Sequence, residues 1–107
     1  MNNMLNLIGR LVRTPELENT SYGKPFSNIT LAVQRNYKNS NDEYGVDFID
    51  VTLWGSIAEK TVEYCHKGDM VGVKGTLQAK VFDNNDGNRV YKLEVVADKI
   101  MFLSSNR

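Results

Sequence analysis

From Val46 to Trp54 the chain alternates between two faces. At period two, Ile49, Val51 and Leu53 share one side of an extended strand, while Phe48 and Trp54 share the other with Asp50 and Thr52. The segment Met70–Phe82 repeats the arrangement: Val73, Leu77, Ala79 and Val81 read inward, and Lys74, Thr76, Gln78, Lys80 and Phe82 read outward. Three further segments, about Met4–Arg13, Phe26–Tyr37 and Val90–Phe102, carry alternating or apolar patterns of strand type. The first, fourth and fifth strands are long and the first and fourth contain Gly9, Gly72 and Gly75, so bends or bulges are expected. Turn chemistry separates them, at Thr14-Pro15, Tyr22–Pro25, Asn39–Asp42 and Asp83–Asn88.

Between the third and fourth strands the period changes, and a helix is expected over Ile57–Lys67. Ser56 is placed to cap it, with Glu59 completing a capping box. Ala58, Thr61, Val62 and Cys65 form an inward stripe edged by Ile57 and Tyr64. His66 and Lys67 suit a last turn, and Gly68 suits a left-handed stop. Three strands, a helix and two strands in that order predict an all-β fold. The expected architecture is a five-stranded Greek-key barrel of the OB type, one domain over residues 1–107, with the helix capping one end.

Composition narrows the function. Thirteen basic residues balance thirteen acidic ones, so attraction of a polyanion by bulk charge is excluded and any such binding must rest on local clusters and stacking. No apolar run is long enough for a membrane span, and the amino terminus lacks the pattern of a secretory signal. A single cysteine forms no intramolecular disulfide and suits a reducing cytoplasm. With Cys65 and His66 as the only soft ligands, no structural zinc site is expected. There is no phosphate-binding Gly-rich loop. Asp47 and Asp50 lie on opposite strand faces and form no acid–base pair, and Asp83-Asn84-Asn85-Asp86-Gly87 reads as a turn, not a calcium loop. No enzyme, cofactor or metal is expected.

A binding surface is the stronger reading. Large rings on the solvent side of a strand that already has an aliphatic face need a covering partner. Phe48, Trp54 and Phe82 fall there by parity, interleaved with Lys74 and Lys80. Tyr37 shares the parity of Ile29, Leu31 and Val33 and reaches the surface only through a bulge or if the strand ends by Asn36. Arg10, Arg35, Lys38, Lys67, Lys74, Lys80 and Arg89 occupy outward positions or flank the loops that an OB barrel uses for binding. Rings among cations suit a flexible polyanion with flat bases, each stacked base contributing about 1–3 kcal/mol. The log–log salt slope for a single strand is then about 0.7 per neutralised phosphate.

The chain resembles the bacterial single-stranded DNA-binding proteins over essentially its whole length. The resemblance is carried by Asn6–Leu17, Ile29–Val33, Asp47–Gly55, Ala58-Glu59, Tyr64–Asp69, Val73–Leu77 and Val90–Ala97 in that order and spacing. It implies that Tyr37, Phe48, Trp54 and Phe82 stack on bases, and that the chain coats and protects single-stranded DNA without sequence specificity in replication, recombination or repair. It also implies a homotetramer of barrels in the cytoplasm, associated with the nucleoid. Relatives that organise replication usually end in a flexible linker and an acidic tail. None follows here, so recruitment of partner enzymes is not expected. Asp50 and Gln78 stand where relatives often carry basic residues, which shifts weight from charge onto stacking. The alternative reading is an OB-fold protein-interaction adaptor of the replication-restart type, its rings serving as a protein hot spot.

Overall fold

The computed structural model describes residues 2–106. The elements run β1 (Leu5–Leu11), β2 (Glu18–Asn19), β3 (Pro25–Lys38), β4 (Tyr44–Trp54), α1 (Gly55–Tyr64), β5 (Met70–Asp83) and β6 (Arg89–Ser104). The five long strands are those expected. The two-residue β2 was not: it pairs Glu18 with Phe26 and Asn19 with Pro25, and it is too short to carry a periodic pattern.

The long strands close on themselves. β1 pairs with β5, β5 with β6 and β3 with β4, all antiparallel. A short parallel contact of Val51–Thr52 with Val95–Val96 joins β4 to β6, and Arg10–Leu11 against Leu31–Ala32 joins β1 to β3. This is the expected barrel. Its interior holds Leu11, Ile29, Leu31, Val51, Leu53, Val71, Val73, Val95 and Ala97, with Ala58 and Cys65 pressed in from α1 and the segment after it. Each large aliphatic side chain so buried contributes roughly 1.5–3 kcal/mol. Two glycines let strands cross closely. A Cβ on Gly9 would lie 2.6 Å from the Ala32 carbonyl oxygen, and one on Gly75 would run into that of Val96. The β5–β6 register shifts beside Gly75 and again at Met70/Val71, where bulges bend the sheet into closure.

The helix ends differ from expectation. It begins at Gly55, whose φ of +62° turns the chain directly out of β4. Trp54 occupies the cap position with no side-chain cap hydrogen bond, so Ser56 caps nothing. It ends at Tyr64, with Cys65 already extended, so His66 and Lys67 lie beyond its last turn. Gly68 does adopt a left-handed φ of +87°, but in a tight turn closed by Asp69 N–H donating to the His66 carbonyl. Ala58, Thr61 and Cys65 are buried as the stripe requires, whereas Tyr64 is exposed and meets the Phe102 ring at 6.1 Å.

Two hairpins run on past the barrel. β3 is exposed from Gln34 to Lys38 and β5 from Leu77 to Asp83, so Leu77, Ala79 and Val81, expected inside, face solvent. The alternation persists where the barrel has ended. The Cα radius of gyration, 15.5 Å, exceeds the roughly 13 Å of a rounded chain of this length because these arms project. Their tips are built alike. Asn39 Oδ1 accepts from the N–H groups of Asn41 and Glu43, and Asn84 Oδ1 from those of Asp86 and Asn88. Asp86 therefore serves a turn.

Candidate nucleic-acid interface

The outer face of β3–β4 follows from register. Phe26, Asn28, Thr30 and Ala32 stand opposite Trp54, Thr52, Asp50 and Phe48. On the β5–β6 arm, Gln78, Lys80 and Phe82 stand opposite Glu94, Lys92 and Val90. Between these two surfaces runs a groove of about 610 Å³, lined among others by Arg13, Asn28, Thr30, Phe48, Asp50, Thr52, Lys80, Lys92 and Glu94. It is open to solvent, and among the described residues one large ring lines it: Phe48, 69% exposed.

Of the residues nominated from sequence, Phe48 and Lys80 line this groove. Phe82 lies two residues beyond Lys80 on the arm, half covered at 48% exposure. Trp54 ends the same face of β4 but is not a free ring. Phe26 packs at 5.3 Å, and Lys24 Nζ sits 4.7 Å over it in a cation–π contact. Tyr37 is 60% exposed. It keeps the face of Val33 and Arg35, whose Nη1 lies 3.4 Å from its hydroxyl, and it is exposed because β3 has run past the barrel there, not because its parity reverses. It lines a separate depression with Arg35, Asp47 and Ile49, on the other side of the β3–β4 arm.

The nominated cations are dispersed, and several are already engaged. Arg35 grips Asp47 with two hydrogen bonds, Nε to Oδ2 at 3.0 Å and Nη2 to Oδ1 at 2.9 Å. That contact holds the Asp47 carboxyl below its ordinary range and raises the Arg35 guanidinium further above neutrality. Lys38 meets Asp42 at 3.3 Å, and Arg89 meets Asp83 at 3.8 Å. Lys80 Nζ lies 2.6 Å from Glu94 Oε2. The Lys80 ammonium, and secondarily the Thr52 hydroxyl, hold the Glu94 carboxyl below its usual value against the opposing effect of burial. Arg10 donates to the Gly68 carbonyl, Lys67 follows the helix, and Lys74 stands on β5 between Asn6 and Lys99. None of these three lines the groove.

The structure adds groove residues that sequence reading passed over. Lys92 is directly opposite Lys80, a fact set by β5–β6 register. Arg13 was expected to end the first strand, but β1 stops at Leu11 and Arg13 donates instead to Thr30 Oγ1 at 3.0 Å. The Thr30 hydroxyl in turn donates to Asp50 Oδ1 at 2.7 Å. Among the described residues no cluster of three or more His, Cys, Asp or Glu is arranged to hold a metal, and no helix is long and apolar enough to cross a membrane.

An open groove on a five-stranded barrel, with a ring on one wall and lysines on the other, agrees with what the whole sequence matches. The profile described as the single-strand binding protein family covers residues 1–103. The chain belongs to that family. It is 43% identical over 103 residues to the single-stranded DNA-binding protein B of Bacillus subtilis, covering 96% of this chain and 91% of that one. It is 42% identical over 106 residues to the single-stranded DNA-binding protein 1 of Clostridium acetobutylicum, covering 98% and 96%. A third relative, the single-stranded DNA-binding protein of Halalkalibacterium halodurans, is 43% identical over 103 residues. There the chain spans 61% of the relative's length.

Proposed function

We propose that this protein binds single-stranded DNA without turning it over. Bases stack on Phe48 in the groove, and phosphates are met by Lys80, Lys92 and Arg13. The observation that carries the reading is the exposed Phe48 ring in a groove walled by lysines. A duplex keeps its bases stacked on each other and has none to offer that ring; a single strand does. Phe82, Trp54 and Tyr37 extend the stacking path along the arms and the barrel end. Arg35, Lys38 and Arg89 lie nearest those rings or at the hairpin tips, and Arg10, Lys67 and Lys74 form an outer set that longer strands reach. Coating of strands exposed during replication, recombination or repair in the cytoplasm is the role that this chemistry suits.

The same reading includes self-association as a homotetramer. Ile8, Met101 and Leu103 are exposed and converge on Gly72, where a Cβ would lie 3.1 Å from Met101 Cε, 3.6 Å from Leu103 Cδ1 and 3.9 Å from Ile8 Cγ1. Such an apolar patch is costly in water unless another copy covers it.

Binding is tested by titrating the fluorescence of Trp54, the only tryptophan, with a thymine oligonucleotide and a matched duplex. Quenching by the single strand alone, weakened by Phe48→Ala, supports the reading. Equal response to both, or no binding of the single strand by anisotropy, refutes it. Light scattering on the native protein and on Ile8→Glu tests the assembly.

A further inference from the structure

Asp50 is a groove carboxylate that a phosphate-binding track does not explain. Its carboxylate lies on the same face of β4 as Phe48, two residues along and so about 7 Å away. Unlike Asp47 and Glu94 it is held by no lysine or arginine among the described residues: its contact is with Thr30, whose hydroxyl donates to Oδ1 at 2.7 Å. Arg13 donates to that same hydroxyl oxygen, which turns the Thr30 proton toward Asp50 and fixes the carboxylate's orientation. Oδ2 is left with no partner among the described residues.

A free, oriented carboxylate oxygen in this position repels phosphate and accepts hydrogen bonds. A base lying flat on Phe48 presents its edge at about the distance of Asp50. Cytosine, adenine and guanine carry amino groups there, and acidic side chains accept from the cytosine N4 amino group. Thymine presents two carbonyl oxygens flanking a single N–H, and those oxygens face the carboxylate unfavourably. We propose that Asp50 reads the base stacked on Phe48, favouring bases with an exocyclic amino group over thymine. The inference rests on the single-strand reading above and adds a base preference to it.

The test measures binding of equal-length cytosine and thymine oligonucleotides to the native protein and to Asp50→Asn, at one salt concentration. Asparagine keeps the shape and the acceptor for Thr30 but offers an amide N–H₂ as well. The ratio of cytosine to thymine affinity is expected to fall about tenfold in Asp50→Asn, chiefly because thymine binding improves. A second measurement leaves the protein unaltered. A tract of N4,N4-dimethylcytosine, which stacks but cannot donate, is expected to lose affinity, while 5-methylcytosine, of similar bulk and with its donor intact, does not. A ratio unchanged by Asp50→Asn, or equal binding of the two methylated tracts, overturns the inference while leaving single-strand binding standing. Failure of every tract to bind overturns both.

Discussion

Glu94 competes with the strand for Lys80, and removing that competition has a calculable effect. The ion pair spans 2.6 Å, with the lysine side chain 60% exposed and the glutamate 15%. In Glu94→Gln the amide retains a polar contact with Thr52 but no longer neutralises the ammonium. Lys80 then meets its phosphate without first giving up a carboxylate, and the salt dependence gains up to one full neutralised phosphate. For single strands each neutralised phosphate adds about 0.7 to the slope of log affinity against log salt. Relative to 1 M salt, that increment at 0.1 M is about 0.7 of a log unit, or roughly fivefold tighter binding, about 1 kcal/mol. The folded state gives up a partly exposed ion pair, at a cost of about 0.2–1 kcal/mol. Anisotropy titrations of a thymine oligonucleotide over a range of salt concentrations measure slope and affinity together. An unchanged slope, or weaker binding at low salt with the fold intact, would show that Lys80 does not meet the strand and that the groove is not its path.

Phe48→Ala should weaken single-strand binding by about 1–3 kcal/mol with little change in the melting temperature, since the ring is exposed; equal affinity by anisotropy would remove Phe48 from the site. Ser27→Ala should leave denaturant stability unchanged or raise it by up to about 1 kcal/mol, because the buried Ser27 hydroxyl has no hydrogen-bond partner among the described residues to lose. Leu53→Ala empties a fully buried core position and should cost about 2–5 kcal/mol in the same urea titration. Acid should act through Glu94 and Asp47. Both carboxyls are depressed in the folded state, so their contribution is complete above the unfolded carboxylate pKa of about 4 and is lost as pH falls through the lower folded values. Urea midpoints measured from pH 5 downward should therefore drop less steeply in Glu94→Gln than in the native protein.

What could be read from the sequence was whatever a single strand or turn decides by itself. Period-two alternation placed Phe48 outside and Val51 and Leu53 inside, and asparagine-rich turns marked both hairpin tips. Alternation does not say where the barrel stops, so Leu77 and Val81 read as core when they belong to an arm. It also does not say which residues meet across strands. The partnerships of Lys80 with Glu94 and Arg35 with Asp47 depend on hairpin register, and they decide which cations are free. Ser56 failed as a cap because Gly55 makes the turn one residue earlier, through a backbone conformation that the sequence permits but does not demand. Tyr37 could be left only as a conditional: it keeps the parity of Val33 and is exposed, like Leu77 and Val81, because its strand runs on past the barrel.

The balance of charge changes what binding means for this protein. Arg35, Lys38, Lys80 and Arg89 each already have a carboxylate within 4 Å. A strand arriving at these positions does not meet bare cations; its phosphates must replace Asp47, Asp42, Glu94 or Asp83. The exchange returns part of the attraction as repulsion from the displaced carboxylate, so each such contact contributes less than a phosphate on an unpaired lysine. Lys92 and Arg13 face the groove with no carboxylate within 4 Å among the described residues; Lys92 feels Glu94 only at longer range, so both keep more of their share. Base stacking has no such competitor, because Phe48 gives up only water. Affinity on this surface should accordingly retain a larger salt-independent part than the number of nearby cations suggests, with its centre at Phe48 and not at the hairpin tips.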